Sequence, residues 1–185
     1  LEIARAKVVQ SAKFAGILLK QTFVKEGREL RRKAGGYAHA KQFKRLRRVV
    51  KRQRTILGVV IREIKRKLSA ASTDSPSRIT RLNTLLERAE RIRTQQPKDK
   101  NKLYALHAPE VECIGKGKAR KPYEFGVKTS IAVTHKSGLM VGARTFPGNP
   151  YDGHVLNQQL EQTTILLEDT GKSPQQVIVD LGYRG

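Results

Sequence analysis

The feature that most constrains this chain is a regular apolar stripe between residues 37 and 68. Apolar side chains recur there at intervals of three, four and seven residues, which is the pattern of an amphipathic α-helix. The stripe consists of Phe43, Leu46, Val49, Val50, Ile56, Leu57, Val60, Ile61, Ile64 and Leu68. Such a helix extends roughly 45 Å at about 1.5 Å per residue. One of its faces is therefore expected to pack against neighbouring helices.

The positions between these apolar residues are filled by cations. Twelve basic residues and one acid, Glu63, occupy the stretch from residue 41 to residue 67. Pairs within the helix cannot neutralise this excess, although a charged face is usually only solvated. We interpret it as a surface for the phosphates of a polyanion, whose contacts are independent of sequence and weakened by salt. The candidate contact residues are Lys44, Arg45, Arg47, Arg48, Lys51 and Arg52.

The positive charge is concentrated in the first half of the chain. The net charge is +22, and residues 1 to 100 hold 28 of the 38 basic residues but only 8 of the 16 acids. Such an imbalance destabilises a compact fold unless a polyanion offsets it, and nucleic acid is the obvious polyanion. Aromatic residues make up only 5% of the chain, so base stacking on this surface is not expected.

Membrane, secreted and zinc-binding proteins are disfavoured. No run approaches the roughly 18 apolar residues of a membrane-spanning helix, and no secretory signal is visible. The single cysteine, Cys113, excludes an intramolecular disulfide. No Cys or His cluster has the spacing of zinc ligands. We therefore expect no membrane partner and a cytoplasmic location.

Further helices are predicted on both sides of the long one. A first helix is expected within residues 3 to 33, followed by a break at Gly35-Gly36. The pair Ser75-Pro76 has the pattern of an N-cap and a proline at the first helical position, which indicates a helix running through Ile92. Residues 1 to 100 are accordingly predicted to be a basic, all-helical segment.

From residue 102 onward, short runs of β-branched and aromatic residues indicate strands instead. The expected strands cover residues 103–107, 124–134, 139–146 and 176–180. The second and third should pair as an antiparallel hairpin through a turn at residues 136–138. After them, Asn149 as N-cap is expected to open a helix that ends near Asp169, before Thr170-Gly171.

The last predicted strand defines the expected fold class. Residues 176–180 are almost wholly apolar, as in a buried central strand, and end on Asp180. An antiparallel hairpin followed by a helix and such a strand predicts an α/β fold with a mixed sheet. In open α/β sheets, ligands bind at the carboxyl ends of strands. Asp180 is thus a candidate functional residue.

Three stretches of the second half resemble successive blocks of one protein family. They are residues 116–128, 148–154 and 179–185. Together they resemble the DDE domain of bacterial insertion-sequence transposases, families four and five. The resemblance is good over residues 103–185 and looser over the basic helices, which resemble a segment that some of these proteins carry between their first two sheet strands. It implies a partial RNase H-like domain at residues 101–185, with residues 1–100 as the inserted segment.

The resemblance also implies that Asp180 is catalytic and a metal ligand. In the family, two aspartates and a glutamate hold two Mg²⁺ or Mn²⁺ ions, and the second aspartate begins an Asp-x-Gly-Tyr signature that Asp180, Gly182 and Tyr183 match. Two such ions activate a water or a DNA 3′-hydroxyl and stabilise the leaving oxygen. The other two acids would lie before Leu1 and beyond Gly185. We therefore expect an internal fragment that, on its own, binds DNA but does not cut it.

The implied partner is double-stranded DNA, both the ends of the mobile element and its target. A homodimer is one option for the intact parent, and the implied location is the bacterial cytoplasm, in association with the nucleoid. A glycine-rich basic loop lacks the spacing of a nucleotide-binding loop, so a nucleotide site there is disfavoured. The loop is a further candidate for contact with a DNA backbone, with plain solvation as an equal alternative. The loop supplies Lys116, Lys118, Arg120 and Lys121. Arg184 is a candidate for holding a phosphate of the scissile strand.

The remaining acids are predicted to be structural. Asp152 lies in the first turn of a predicted helix, where a carboxylate interacts favourably with the helix dipole. Glu110, Glu112 and Glu124 show no paired partner in the sequence. None of the four is therefore assigned to catalysis.

Two rival hypotheses stay open at this point. The chain could be a non-catalytic nucleic-acid-binding protein in which the helices bind and the α/β part is a platform. It could also be a decayed transposase remnant. Asp180 followed by Gly182-Tyr183 favours the enzyme, because a binding protein has no use for that pattern.

Overall fold

Two units of different secondary structure make up the chain, Leu1–His107 and Ala108–Gly185. The computed structural model describes residues 1–69, 76–116 and 122–184. Over these residues the first unit is helical, whereas the second combines short antiparallel strands with one α-helix. None of the helices in the described ranges is long and apolar enough to cross a membrane.

The apolar stripe forms the centre of the helical unit. Its helices are α1 (Glu2–Phe14), α2 (Val24–His39), α3 (Phe43–Leu68) and α4 (Pro76–Thr94). The stripe on α3 packs against α1 and α4 in one core, where alanines let the helices approach closely. The core residues of these three helices are Ala4, Val8, Ala12, Leu57, Val60, Ile61, Ile64, Leu82, Leu86 and Ala89. The predicted helix through Ile92, with Pro76 at its first position, is confirmed; Ser75 lies outside the described residues.

The predicted helix break at Gly35-Gly36 is wrong, because both glycines lie inside α2. A glycine inside a helix costs only about 1 kcal/mol relative to alanine, which the rest of the helix can offset. The chain reverses instead after His39, where Lys41 adopts a left-handed φ of 53°. The helix expected within residues 3 to 33 is confirmed as α1, and the first part of α2 lies in the same range. Gly16, at φ 76°, follows shortly after α1.

The strand predicted at residues 103–107 is also wrong, because a side chain replaces the neighbouring strand. The Leu103 N–H donates to Gln95 Oε1 at 3.0 Å, and Gln95 Nε2 donates to the Leu103 carbonyl at 3.1 Å. Leu103 and Leu106 are buried. The apolar pattern of this segment thus reflects burial against helices, and its backbone groups are satisfied without a sheet.

Gln95→Ala is expected to destabilise the helical unit by about 1–3 kcal/mol, because it leaves a partly buried N–H and carbonyl of Leu103 without partners. Urea unfolding followed by circular dichroism measures this. The matched control is Gln96→Ala, which removes the same amide from an exposed position. Equal effects of the two substitutions would contradict the proposed role of Gln95.

Two small antiparallel sheets form the second unit over its described residues. Strand β1 (Glu112–Gly115) pairs with β2 (Tyr123–Gly126), and β3 (Lys128–Val133) pairs with β4 (Met140–Phe146). The strand predicted at 124–134 is therefore two strands in different sheets, which separate at Val127. The predicted hairpin is confirmed, and Gly138 supplies the positive φ of 65° in its turn.

Helix α5 (Asp152–Leu167) covers the second sheet. Its buried residues Val155, Gln159 and Thr163 recur every four positions and face the sheet. A Cβ on Gly142 of β4 would lie only 2.5 Å from Thr163 Oγ1. Glycine at this position is therefore what permits the close approach of helix and sheet.

Two predictions around α5 are wrong. The N-cap is not Asn149, which adopts a left-handed φ of 45°; the helix begins at Asp152, with Tyr151 before it. Residues 176–180 form no strand, and Ile178 is 70% exposed. A lone extended segment cannot become a strand without a neighbour, and no described strand pairs with it. The predicted end of the helix before Gly171, whose φ is 65°, is confirmed.

Candidate functional site

Asp180 sits at the start of a tight turn in the second unit. It precedes a short 3₁₀ turn, Leu181–Tyr183, and its Oδ1 accepts a hydrogen bond of 2.9 Å from the Gly182 N–H. An aspartate in this position fixes the turn through its own side chain. The residue is exposed, and Oδ2 has no hydrogen bond to the described part of the chain. One carboxylate oxygen therefore remains available for a ligand.

The beginning of α5 packs directly against this turn. The Tyr151 hydroxyl donates to the carbonyl of Arg184. A Cβ on Gly153 would meet the Tyr183 carbonyl oxygen at 3.0 Å and the Tyr151 ring at 2.8 Å. The segment around Gly153 and the segment after Asp180, which are two of the sequence blocks, thus hold each other in place.

Gly153→Ala is expected to displace the turn after Asp180, because the new methyl group needs space held by a backbone carbonyl and a ring. The measurement is the amide ¹H–¹⁵N spectrum, in which Leu181 to Arg184 should shift most. Gly126→Ala is the control, since nothing lies within 4 Å of a Cβ at Gly126. Unchanged resonances of the turn in Gly153→Ala would contradict the packing described.

A second carboxylate and an ammonium lie beside the same turn. Asp152 Oδ2 comes within 3.5 Å of the Cβ position of Gly182, and Asp180 Oδ1 within 3.0 Å of it. Lys128 Nζ is 2.6 Å from Asp152 Oδ1 and 2.5 Å from the carbonyl oxygen of Pro150. Lys128 therefore neutralises Asp152 and ties β3 to the start of α5. Nothing in the sequence alone pointed to this pair, which is distant in sequence.

The arrangement suits Asp180 as one ligand of a divalent cation. Its exposed carboxylate is a hard oxygen donor, and Mg²⁺ keeps several waters and needs only one or two protein carboxylates. Asp152 is already paired with Lys128. No group of three or more His, Cys, Asp or Glu residues in the described ranges could hold a metal ion. A two-ion site therefore needs carboxylates that these ranges do not supply.

The predicted basic face of α3 separates into two sets of residues. Arg52 is paired with Glu26 of α2 at 2.6 Å, and this bond lowers the pKa of the Glu26 carboxyl. Arg45 lies over the ring of Tyr37, 5.9 Å from its centroid. The side chains of Lys44, Arg47, Arg48 and Lys51 are exposed and have no ion pair or hydrogen bond to the described residues. These four residues are called the basic ridge below.

The basic ridge lies on the outer face of α3. Its members recur at intervals of three, four and seven residues, so they share one side of the helix. Val49, Gln53 and Ile56, which are buried, lie on the other side. The ridge therefore presents four positive charges to solvent, none of them in an ion pair with a described residue.

The other predicted contact residues are only partly described. Lys116 directly follows β1, and its Nζ is 3.3 Å from Glu124 Oε2, so its charge is partly neutralised. Lys118, Arg120 and Lys121 lie outside the described residues. The side chain of Arg184 is exposed next to the Asp180 turn.

Comparison with known proteins gives one result. The family model described as the transposase DDE domain matches residues 89–185, which is just over half of the chain and includes the whole site around Asp180. No curated protein and no solved structure matches the chain.

Proposed function

The chain belongs to the transposase DDE domain family, and on this basis we propose that it is part of a bacterial insertion-sequence enzyme that cuts and joins DNA phosphodiester bonds. The observation that carries the proposal is the exposed Asp180 carboxylate, held by its bond to the Gly182 N–H at the turn that α5 supports. Catalysis needs a carboxylate held rigidly but open to a ligand, and this geometry provides both.

Asp180 is proposed to bind Mg²⁺ or Mn²⁺ through the oxygen that the turn leaves free. A pair of such ions supplies an activated water or 3′-hydroxyl and stabilises the leaving oxygen at phosphorus. Asp152 and Lys128 have a different part, because their ion pair holds the start of α5 against the turn. Arg184, which is exposed next to this turn, is proposed to hold a phosphate near Asp180. These residues orient the carboxylate and the DNA strand.

A groove in the second unit supports an RNase H-like fold for the whole domain. It has a volume of about 780 Å³ and lies between Ser130–Thr134 and Val177–Asp180. Both walls expose apolar side chains, with Val133 57% and Ile178 70% exposed. Unpaired strand edges require a partner or a cover. We place here a further strand, which would pair with β3 and with residues 176–180 and complete a mixed sheet.

That strand is proposed to bring a second acid next to Asp180, since the described residues lack the carboxylates of a two-ion site. The chain alone is then expected to bind DNA and leave it uncut. Its helical segment, residues 1–100, is proposed to hold DNA through the basic ridge, with Arg45, Arg52 and the loop of Lys116, Lys118, Arg120 and Lys121 as lesser contacts. We extend the proposal to a nucleoid-associated protein that acts on element ends as a homodimer.

The test is to sequence the DNA on both sides of this coding segment and to translate the same frame outward. We expect an apolar strand ending in Asp upstream, a helix bearing Glu downstream, and inverted repeats around them. A frame that closes at once on both sides would overturn the enzyme proposal. The chain would then be a remnant or a binding module.

A further inference from the structure

A second cationic surface lies between α1 and α4, and the basic ridge does not include it. Two adjoining cavities of about 440 and 640 Å³ line this surface. They share Lys7, Ser11, Arg81 and Leu85, so they form one continuous groove, called the α1–α4 groove. Among the described residues, its lining contains basic, neutral polar and apolar side chains and no acid.

The cations of the groove remain accessible to solvent. Lys7 and Arg81 are exposed and have no ion pair or hydrogen bond to the described part of the chain. Arg78 donates to the Phe14 carbonyl at 3.3 Å, and Arg88 donates to the Leu106 carbonyl at 3.4 Å. A guanidinium has five N–H donors, so each of these arginines keeps donors for a ligand. Backbone carbonyls therefore fix two cations along the groove.

The groove and the basic ridge face in opposite directions. Helices α1 and α4 pack against each other and against the core side of α3. The groove between them accordingly opens away from α3. The ridge lies on the outer side of α3, opposite to its core residues. The described part of the helical unit thus has positive charge without ion pairs on two opposite surfaces.

We propose that the α1–α4 groove binds the sugar-phosphate backbone of a second DNA duplex while the basic ridge binds the first. The proposal rests on the proposed function, which supplies DNA as the polyanion. Hydroxyl and amide side chains such as Ser11, Thr84 and Gln10 are common phosphate contacts beside Lys and Arg. DNA stays straight over about 150 base pairs, so one short duplex cannot reach both surfaces. The helical unit therefore bridges two duplexes.

The alternative occupant is an acidic segment of a second copy of this chain. The four cations of the groove, with no acid among the described lining residues, would attract it as well. The lining also exposes apolar side chains, with Ile3 56% and Phe14 68% exposed. Its cations and the excess positive charge of the helical segment favour phosphate, because each phosphate carries a charge that an acidic protein segment supplies only at some of its residues. A change in oligomeric state on removing the groove cations would identify this occupant.

The experiment measures bridging by the full chain. A short duplex is immobilised, the protein is bound to it, and capture of a second, labelled duplex of unrelated sequence is recorded. Three variants are compared with the wild type: Lys7→Gln/Arg81→Gln in the groove, Lys44→Gln/Arg47→Gln/Arg48→Gln/Lys51→Gln in the ridge, and Lys13→Gln/Lys25→Gln as an exposed control outside both surfaces. Circular dichroism confirms folding, and sedimentation gives the oligomeric state.

The wild type and the control are expected to capture the labelled duplex. The groove variant should capture about tenfold less of the labelled duplex, because the second set of phosphate contacts is removed. Its affinity for a single duplex should change by no more than about twofold. Capture that survives in the groove variant overturns the proposal, as does a changed oligomeric state with bridging intact. A wild type that binds one duplex without bridging also overturns it, whereas a wild type that binds no DNA contradicts the proposed function itself.

Discussion

Asp180→Ala is expected to abolish DNA cleavage and joining in an active transposase that contains this chain, with a loss of at least about a thousandfold. A metal ligand stabilises transition-state charge by several kcal/mol, and each 1.4 kcal/mol corresponds to about tenfold in rate. The affinity for DNA should stay within about twofold, because the basic ridge is untouched. A plasmid excision assay and a filter-binding assay measure the two quantities.

Asp180→Asn separates the charge of this residue from its structural role. The amide oxygen still accepts the Gly182 N–H, so the turn is expected to persist, while the anionic ligand is lost. Paramagnetic broadening by Mn²⁺ should be observed near Gly182 in the wild type and disappear in this variant. Asp169→Asn, an exposed acid elsewhere in the same unit, is the matched control. If cleavage survives in Asp180→Asn, the metal assignment is wrong.

Replacing all four residues of the basic ridge by glutamine is expected to lower the affinity for duplex DNA about a hundredfold at moderate salt. Each phosphate contact contributes about 0.9 to the slope of log affinity against log salt, so the slope should fall by about three to four. Fluorescence anisotropy over a series of salt concentrations measures both. The loss should be the same for unrelated DNA sequences, because backbone contacts carry no sequence information.

Two double variants with equal loss of charge test which cations matter. Arg47→Gln/Lys51→Gln removes two unpaired charges of the ridge. Arg45→Gln/Arg52→Gln removes two charges that Tyr37 and Glu26 already engage. The first should weaken binding more and reduce the salt slope by about two. Equal effects would show that only total charge matters, and the ridge would not be the binding surface.

The helical unit shows how far periodicity predicts structure. The stripe from Ile56 to Ile64 was identified as a core from its spacing alone, and it is buried. Spacing did not reveal where helices end, since Gly35-Gly36 continues α2 and the chain reverses near Lys41. A glycine inside a helix lowers its stability by only about 1 kcal/mol relative to alanine, and packing elsewhere along the helix readily offsets this.

Strand prediction failed where strand formation depends on a neighbouring strand that is distant in sequence. The segments 103–107 and 176–180 have the composition of strands, but a strand forms only by pairing with another, and no described strand pairs with either segment. Gln95 replaces the partner in the first case. In the second, the apolar residues line an open groove. The hairpin of β3 and β4 was predictable, because its two strands and its turn are consecutive in sequence.

The sequence by itself determined the features that depend on neighbours along the chain: the apolar stripe, the basic face, the hairpin turn and the Asp180-x-Gly-Tyr pattern. Only the tertiary structure decided which charges remain free. It paired Asp152 with Lys128 and Arg52 with Glu26, and among the described residues it left Asp180 and the basic ridge without an ion pair. The physical reason is that an ion pair forms between side chains that packing brings within about 4 Å of each other. The number of residues between two positions in the sequence does not show whether packing brings them together.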